Sequence, residues 1–208
     1  MNLEKRGENM QEKLTLVLGG ARSGKSKFAE KYVLHAGVKA AYIATAEILD
    51  DEMATRVEYH KSRRRNARWI NFEAPYDAEK TLLEAGKVAD VVLFDCLTVY
   101  ISNLMYGKNA PTDFNAKYDF VYAGIDKLLK AARQINKPVV FVSNDVGAGI
   151  VPDSAMGREY RDIAGWVNQQ VGMEADEVYY VIAGNAVDIK KLAFKFKDEN
   201  GEKHSERP

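Results

Sequence analysis

Cysteine is nearly absent: Cys96 is the single one in 208 residues, so no disulfide can close within the chain. Proline is scarce, five in all, and no proline-rich or low-complexity stretch marks a linker. No apolar run approaches the roughly 20 residues that a membrane span needs. The opening residues, MNLEKRGENMQEK, are charged and lack the apolar centre of a secretory leader. Charge of one sign is missing too: 30 Lys and Arg balance 30 Asp and Glu. The chain as a whole therefore gives no reason to expect nucleic acid or membrane insertion, and any basic site must be local. These absences lead to the expectation of one soluble, cytoplasmic domain.

What remains is ordinary globular material, 46% apolar and 29% charged, in a chain long enough for a sizeable core. Short β-rich runs recur at 14–18, 40–44, 91–95, 138–143 and 178–184. Several are apolar at consecutive positions, as expected of strands covered on both faces. Helical patterns lie between them. Phe28, Ala29, Tyr32, Val33 and Ala36 share one face after the first strand, and 50–66, 76–87, 115–136 and 154–172 also read as helices. The alternation predicts an α/β fold, a mainly parallel sheet with flanking helices. Ligands then belong beyond the carboxyl ends of the strands. Residues 13–197 form the expected single domain, with polar tails at 1–12 and 198–208.

The first strand runs into Gly19, Gly20, Ala21, Arg22, Ser23, Gly24, Lys25 and Ser26, a match to G-x-x-x-x-G-K-[ST], the P-loop. Glycines let the backbone curl so that its N–H groups face phosphate oxygens. The helix that follows adds its free N–H groups and positive dipole end. Lys25 sets a cation on the β- and γ-phosphates, and Ser26 offers a hydroxyl to Mg2+. The second anchor expected for Mg2+ is Asp95, a carboxylate at the end of VVLFD. Cys96 reads as a small buried residue. A guanine-reading Asn-Lys-x-Asp stretch is not found, since Pro138 follows Asn136 and Lys137. The size suits a small-molecule phosphotransferase.

A second constellation lies in DDEMATRVEYHKSRRRNARW, residues 50–69. On a helix Glu52, Arg56, His60 and Arg64 share a face. Nearby cations disfavour imidazolium, leaving His60 a neutral nucleophile able to take up a nucleotidyl group. A solvated basic face with an idle histidine fits the pattern as well. His35 and His204 have no such surroundings and read as structural or surface residues.

GGARSGKS, YIATAEILDDEMATRVEYHKSRR, FDCLTVYISNL, VSNDVGAGIVPDSAMGREYRDIAGWVNQQV and ADEVYYVIAG together resemble the bifunctional adenosylcobinamide kinase / adenosylcobinamide-phosphate guanylyltransferase family of cobalamin biosynthesis. The likeness spans residues 14 to 190, in order. It implies a RecA-like P-loop NTPase fold, a homotrimer, and the use of GTP, ATP and Mg2+. It also implies two reactions: phosphorylation of adenosylcobinamide, then transfer of GMP from GTP to adenosylcobinamide phosphate through a guanylyl-histidine. By resemblance His60 is that histidine. Ala44, Thr45, Ala46, Lys61, Ser62, Arg63, Arg64, Glu73 and Asp95 match nucleotide contacts beside the P-loop.

Two positions depart from the family. Asp145 stands where glutamate is common, and Tyr100 where tryptophan is frequent. The glycine-rich loop 144–154 reads either as a cover over substrate or as a plain strand-to-helix connection. Trp69 and Trp166 read as packing or interface residues. No general base for the substrate hydroxyl stands out, and phosphoryl transfer need not have one. The sequence also fits two other readings: a P-loop kinase without a covalent intermediate, and a non-catalytic nucleotide-controlled binding protein.

Overall fold

The computed structural model describes residues 12–47 and 68–194. A seven-stranded sheet runs through it. Its strands are β1 (Leu14–Gly19), β2 (Ala40–Ala44), β3 (Trp69–Glu73), β4 (Val91–Asp95), β5 (Val139–Asn144), β6 (Glu177–Ile182) and β7 (Asn185–Asp188). They lie in the order β3-β2-β4-β5-β1-β6-β7. Every pairing is parallel except β6 with β7. The helices described are α1 (Lys25–Ala36), α2 (Ala78–Val88), α3 (Leu97–Tyr106), α4 (Phe114–Gln134), α5 (Ala155–Glu174) and α6 (Ile189–Leu192).

The central strands are apolar throughout because both of their faces are covered. Leu14, Leu16, Ile43, Val92, Phe94 and Phe141 pack on one face, against α2, α3, α4 and α5. Val17, Tyr42, Leu93, Val140 and Val142 pack on the other, where Ala29 and Val33 of α1 meet them. Tyr100 fills the first face edge-on to Phe94, with ring centroids 5.6 Å apart. Trp69 is buried against Tyr42. Trp166 packs on Phe114 and Tyr118 while staying partly exposed. The starts of α4 and α5 are set by Asp113 and Ser154, whose side chains accept from the N–H groups of Ala116 and Gly157.

The mainly parallel sheet with flanking helices is the P-loop architecture expected. Its RecA-like character lies in β5, which stands between the strand of the glycine turn and the strand of Asp95. Three elements go beyond the sequence reading. β3 is a five-residue edge strand, and α3 is apolar nearly all round, so no stripe announces it. The run expected at 178–184 ends at Ile182, because Ala183 and Gly184 adopt positive φ and turn the chain back as β7. The helix expected at 50–66 lies outside the described residues. Among those described, no helix is long and apolar enough to cross a membrane.

At the amino ends of β1 and β6, Glu177 accepts from Lys13 Nζ at 2.8 Å and from Tyr32 Oη at 2.5 Å. Burial pushes the Glu177 carboxyl up, but these hydrogen bonds and the Lys13 charge outweigh it and hold the group below its ordinary 4.5. The folded state thus binds the carboxylate better than the unfolded chain does. That stability is complete above the ordinary value and is lost as pH falls through the lowered one. Glu177→Gln should therefore lower the urea midpoint at pH 7, and the gap to wild type should close on acidification below pH 4.5. A gap independent of pH would show that the carboxylate charge contributes nothing.

Candidate active site

Parallel pairing brings the carboxyl ends of β1, β5, β4, β2 and β3 to one edge of the sheet. Register makes the row specific: Gly19 lies opposite Asn144, and Ala44 lies opposite both Asp95 and Glu73. The turn from Gly19 to Gly24 thus shares its edge with Asp95, with Ala44, Thr45 and Ala46, and with Glu73.

The glycines of the turn are required by contact. A Cβ on Gly19 would lie 2.5 Å from the Val181 carbonyl oxygen and 2.6 Å from Ser23 Oγ. Gly24 has φ 98° and lies against Gly184, whose N–H donates to the Ser23 carbonyl at 2.9 Å. Gly20, Ala21, Arg22 and Ser23 form the curl between them, tied by the Ser23 N–H to the Gly20 carbonyl at 3.3 Å. Lys25 and Ser26 open α1 directly behind it. Lys25 is buried, and its Nζ donates to the Gly20 carbonyl at 3.1 Å. Burial pulls its pKa down, while the charge of Asp95 pulls the other way. A lysine so placed is an ammonium held beside the turn with much of its water removed, which strengthens its pull on a phosphate.

Asp95 accepts from Tyr42 Oη at 3.1 Å. Cys96 follows through a cis peptide bond. It is half-buried rather than buried. Burial, followed by the neighbouring Asp95 charge, pushes its thiol up to about 11, so at neutral pH it is a thiol and a poor nucleophile. Thr45 is clamped from both sides. Its hydroxyl donates to the Cys96 carbonyl at 2.8 Å and accepts from the Cys96 N–H at 2.9 Å. Its carbonyl accepts from Asn103 Nδ2 at 2.8 Å. Asn103 also reaches the Pro75 carbonyl at 3.0 Å and so fixes the loops after β2 and β3 together. The sequence reading missed it. Its signal was faint: an amide inside the apolar run VYISNLMY.

Asp145 has an N–H that donates to the Gly19 carbonyl at 3.2 Å and a carboxylate that accepts from Tyr180 Oη at 3.1 Å. It braces the turn against β6. Behind it, the Asn144 N–H donates to Thr98 Oγ1 and the Asn144 carbonyl accepts from Asn168 Nδ2, while Ser143 Oγ donates to Asn168 Oδ1. Ser23 Oγ and Asn144 Oδ1 are buried, and neither has a hydrogen-bond partner among the described residues. Polar atoms of that kind at a phosphate-binding turn suit a bound ligand or water.

The structure thus brings together Gly19 to Ser26, Ala44 to Ala46, Glu73 and Asp95. His60, Lys61, Ser62, Arg63 and Arg64 lie outside the described residues. A depression of about 580 Å³ lined by Lys80, Leu83, Gly86 and Ile135 lies between α2 and the end of α4 and contains none of these residues.

Gly19→Ala should force the turn to shift, since overpacking of this kind costs about 1–3 kcal/mol. Affinity for ATP and GTP, measured by calorimetric titration, should fall about tenfold or more. Unchanged affinity would show that nucleotide does not use this turn.

Comparison with known proteins agrees with the geometry. The family model described as "Cobinamide kinase / cobinamide phosphate guanyltransferase" matches residues 15–189. The bifunctional adenosylcobalamin biosynthesis protein CobU of Escherichia coli strain K12 is 40% identical over 182 residues, covering 85% of this chain and 99% of that one. CobP of Pseudomonas aeruginosa, named in the same way, is 34% identical over 175 residues, covering 84% and 96%. Among solved structures, the flagellar accessory protein FlaH of Methanocaldococcus jannaschii aligns with a TM-score of 0.45 at 14% identity, covering 88% of this chain and 80% of that one. With its glycine turn, strand-end aspartate and sheet order in place, the chain belongs to the cobinamide kinase / cobinamide phosphate guanyltransferase family.

Proposed function

We propose that a single triphosphate site on this chain serves both family reactions and that His60 carries the guanylyl group between them. Family membership makes the chain a cobinamide kinase and cobinamide phosphate guanyltransferase. The observation that carries the one-site reading is the buried ammonium of Lys25, held at the glycine turn on the edge that also bears Asp95 and Glu73. Strands lie about 4.8 Å apart, so Ala44 stands roughly 14 Å along the edge from the turn and Glu73 roughly 19 Å. A nucleotide laid along this edge, phosphate tail on the turn, points its nucleoside toward Ala44, Thr45, Ala46 and Glu73.

In the first reaction a hydroxyl of adenosylcobinamide attacks the γ-phosphorus of ATP or GTP, the bond from that phosphorus to the bridging oxygen breaks, the nucleoside diphosphate leaves, and the hydroxyl proton passes to a phosphate oxygen or to water. In the second, a nitrogen of neutral His60 forms a bond to the α-phosphorus of GTP while the bond to the bridging oxygen breaks and pyrophosphate departs. The phosphate of adenosylcobinamide phosphate then attacks the same phosphorus, and the P–N bond breaks to restore His60. Lys25 and the turn hold the departing phosphates. Arg63 and Arg64, with Lys61 and Ser62 beside them, fit the role of planar forks on phosphate oxygens.

The Ser26 hydroxyl and the Asp95 carboxylate fit Mg2+, a hard ion that takes one or two carboxylates and completes its shell with phosphates and water. Among the described residues no cluster of three or more His, Cys, Asp or Glu forms a closed metal cage. When bound, Mg2+ neutralises charge on the phosphates. We place the enzyme in the cytoplasm as a homotrimer. The exposed side chains of Ile182, Leu192 and Phe194, near the β7 edge, offer apolar surface for such an assembly.

His60→Ala should abolish acid-labile labelling of the protein by α-labelled GTP while the wild type is labelled. Labelling at wild-type level in the variant would remove His60 from the mechanism. Lys25→Ala should weaken both this labelling and γ-phosphoryl transfer to adenosylcobinamide. Loss of only one of the two would show that two triphosphate sites operate.

A further inference from the structure

The loop between β5 and α5 is held firmly at both ends and left apolar and exposed in the middle. At its start, the Asp145 N–H is bound to the Gly19 carbonyl and Val146 packs on the core. At its end, Arg158 Nη1 donates to the carbonyls of Pro152 and Asp153 at 3.0 and 2.6 Å, and Tyr106 Oη donates to the Met156 carbonyl at 3.0 Å. Between these anchors Ile150 is 96% exposed and Val151 57%, and Met156, just beyond, is 61% exposed.

The position of this rim follows from lengths. The far end of α5 is tied to the start of β1, where the Asp176 N–H donates to the Leu14 carbonyl. Twenty helical residues span about 30 Å, and six strand residues about 20 Å. The start of α5 therefore stands about 10 Å above the sheet edge. Ile150, Val151 and Met156 form an apolar rim on that rise, reached by a chain that leaves β5 beside the phosphate turn.

We propose that Ile150, Val151 and Met156 seat the corrin ring of the acceptor, an inference that rests on the cobinamide reading above. Cobinamide is a wide macrocycle with methyl-bearing faces, and its reacting hydroxyl hangs from a flexible arm. With that hydroxyl at the phosphates, the ring must lie off the sheet edge by the length of the arm. An apolar rim raised above the turn matches that position and that surface. Loop 144–154 is then a substrate-facing element and not a plain connection.

The test is Ile150→Ser/Val151→Ser in the full-length enzyme. The KM for adenosylcobinamide in the kinase reaction should rise tenfold or more with kcat little changed. GTP affinity, His60 labelling by α-labelled GTP without acceptor, and native mass should match wild type. Ile150→Leu/Val151→Ile should restore the wild-type KM. A KM within twofold of wild type in the double serine variant would overturn the assignment, as would an equal loss of GTP affinity. A fall in native mass alongside the KM change would instead make the rim a contact between copies of the chain. Absence of corrinoid turnover by the wild type itself would count against the cobinamide reading, a result separable from each of these.

Discussion

Parallel pairing of β1, β5, β4 and β2 is the constraint on which the rest of the molecule depends. A parallel sheet sends the carboxyl ends of its strands to one edge, and there the described site residues gather. The pairing is sustained by burial on both faces, with Leu16, Val17, Leu93, Phe94, Val140 and Phe141 all withdrawn from water. Each fully buried side chain of this type contributes about 1.5–3 kcal/mol relative to exposure. The hydrophobic core is therefore also the device that holds the Gly19 turn, Asp95 and Ala44 in register. A slip of one residue in β4 would turn Asp95 to the other face of the sheet.

Around the turn, order is imposed by contacts from outside the motif. Val181 presses on Gly19, Gly184 meets Gly24 and bonds to Ser23, and Asp145 bonds to Gly19 while bracing on Tyr180. On the other side of the site, Asn103 fixes the segments that carry Thr45 and Pro75. Groups positioned in advance in this way lose little freedom when they meet a phosphate, and that is where binding gains most from rigidity.

The legible parts of the sequence were those whose signal is local. The glycine turn is one unbroken stretch, and the strands carrying it and Asp95 are apolar runs with clear ends. The helices read at 76–87, 115–136 and 154–172 fall within two residues of α2, α4 and α5. What escaped was set by distant partners. α3 is apolar nearly all round because it is largely enclosed by Phe94, α4 and α5, so it lacks the stripe that marks a surface helix. β3 pairs only at an edge, and β7 exists because two residues at positive φ reverse the chain. Asn103 draws its role from carbonyls 58 and 28 positions away, and no local pattern encodes such a bond. For His60 and its basic neighbours the sequence and the family likeness remain the whole argument.

The bond from the Gly184 N–H to the Ser23 carbonyl has a consequence for how the molecule responds as a whole. One end belongs to the phosphate turn and the other to the β6–β7 hairpin at the sheet's margin. Any preference of nucleotide for the bonded form of the turn is matched, in equal measure and in reverse, by a preference of the intact hairpin for nucleotide. The margin of the sheet and the occupancy of its centre are one equilibrium, read from two sides.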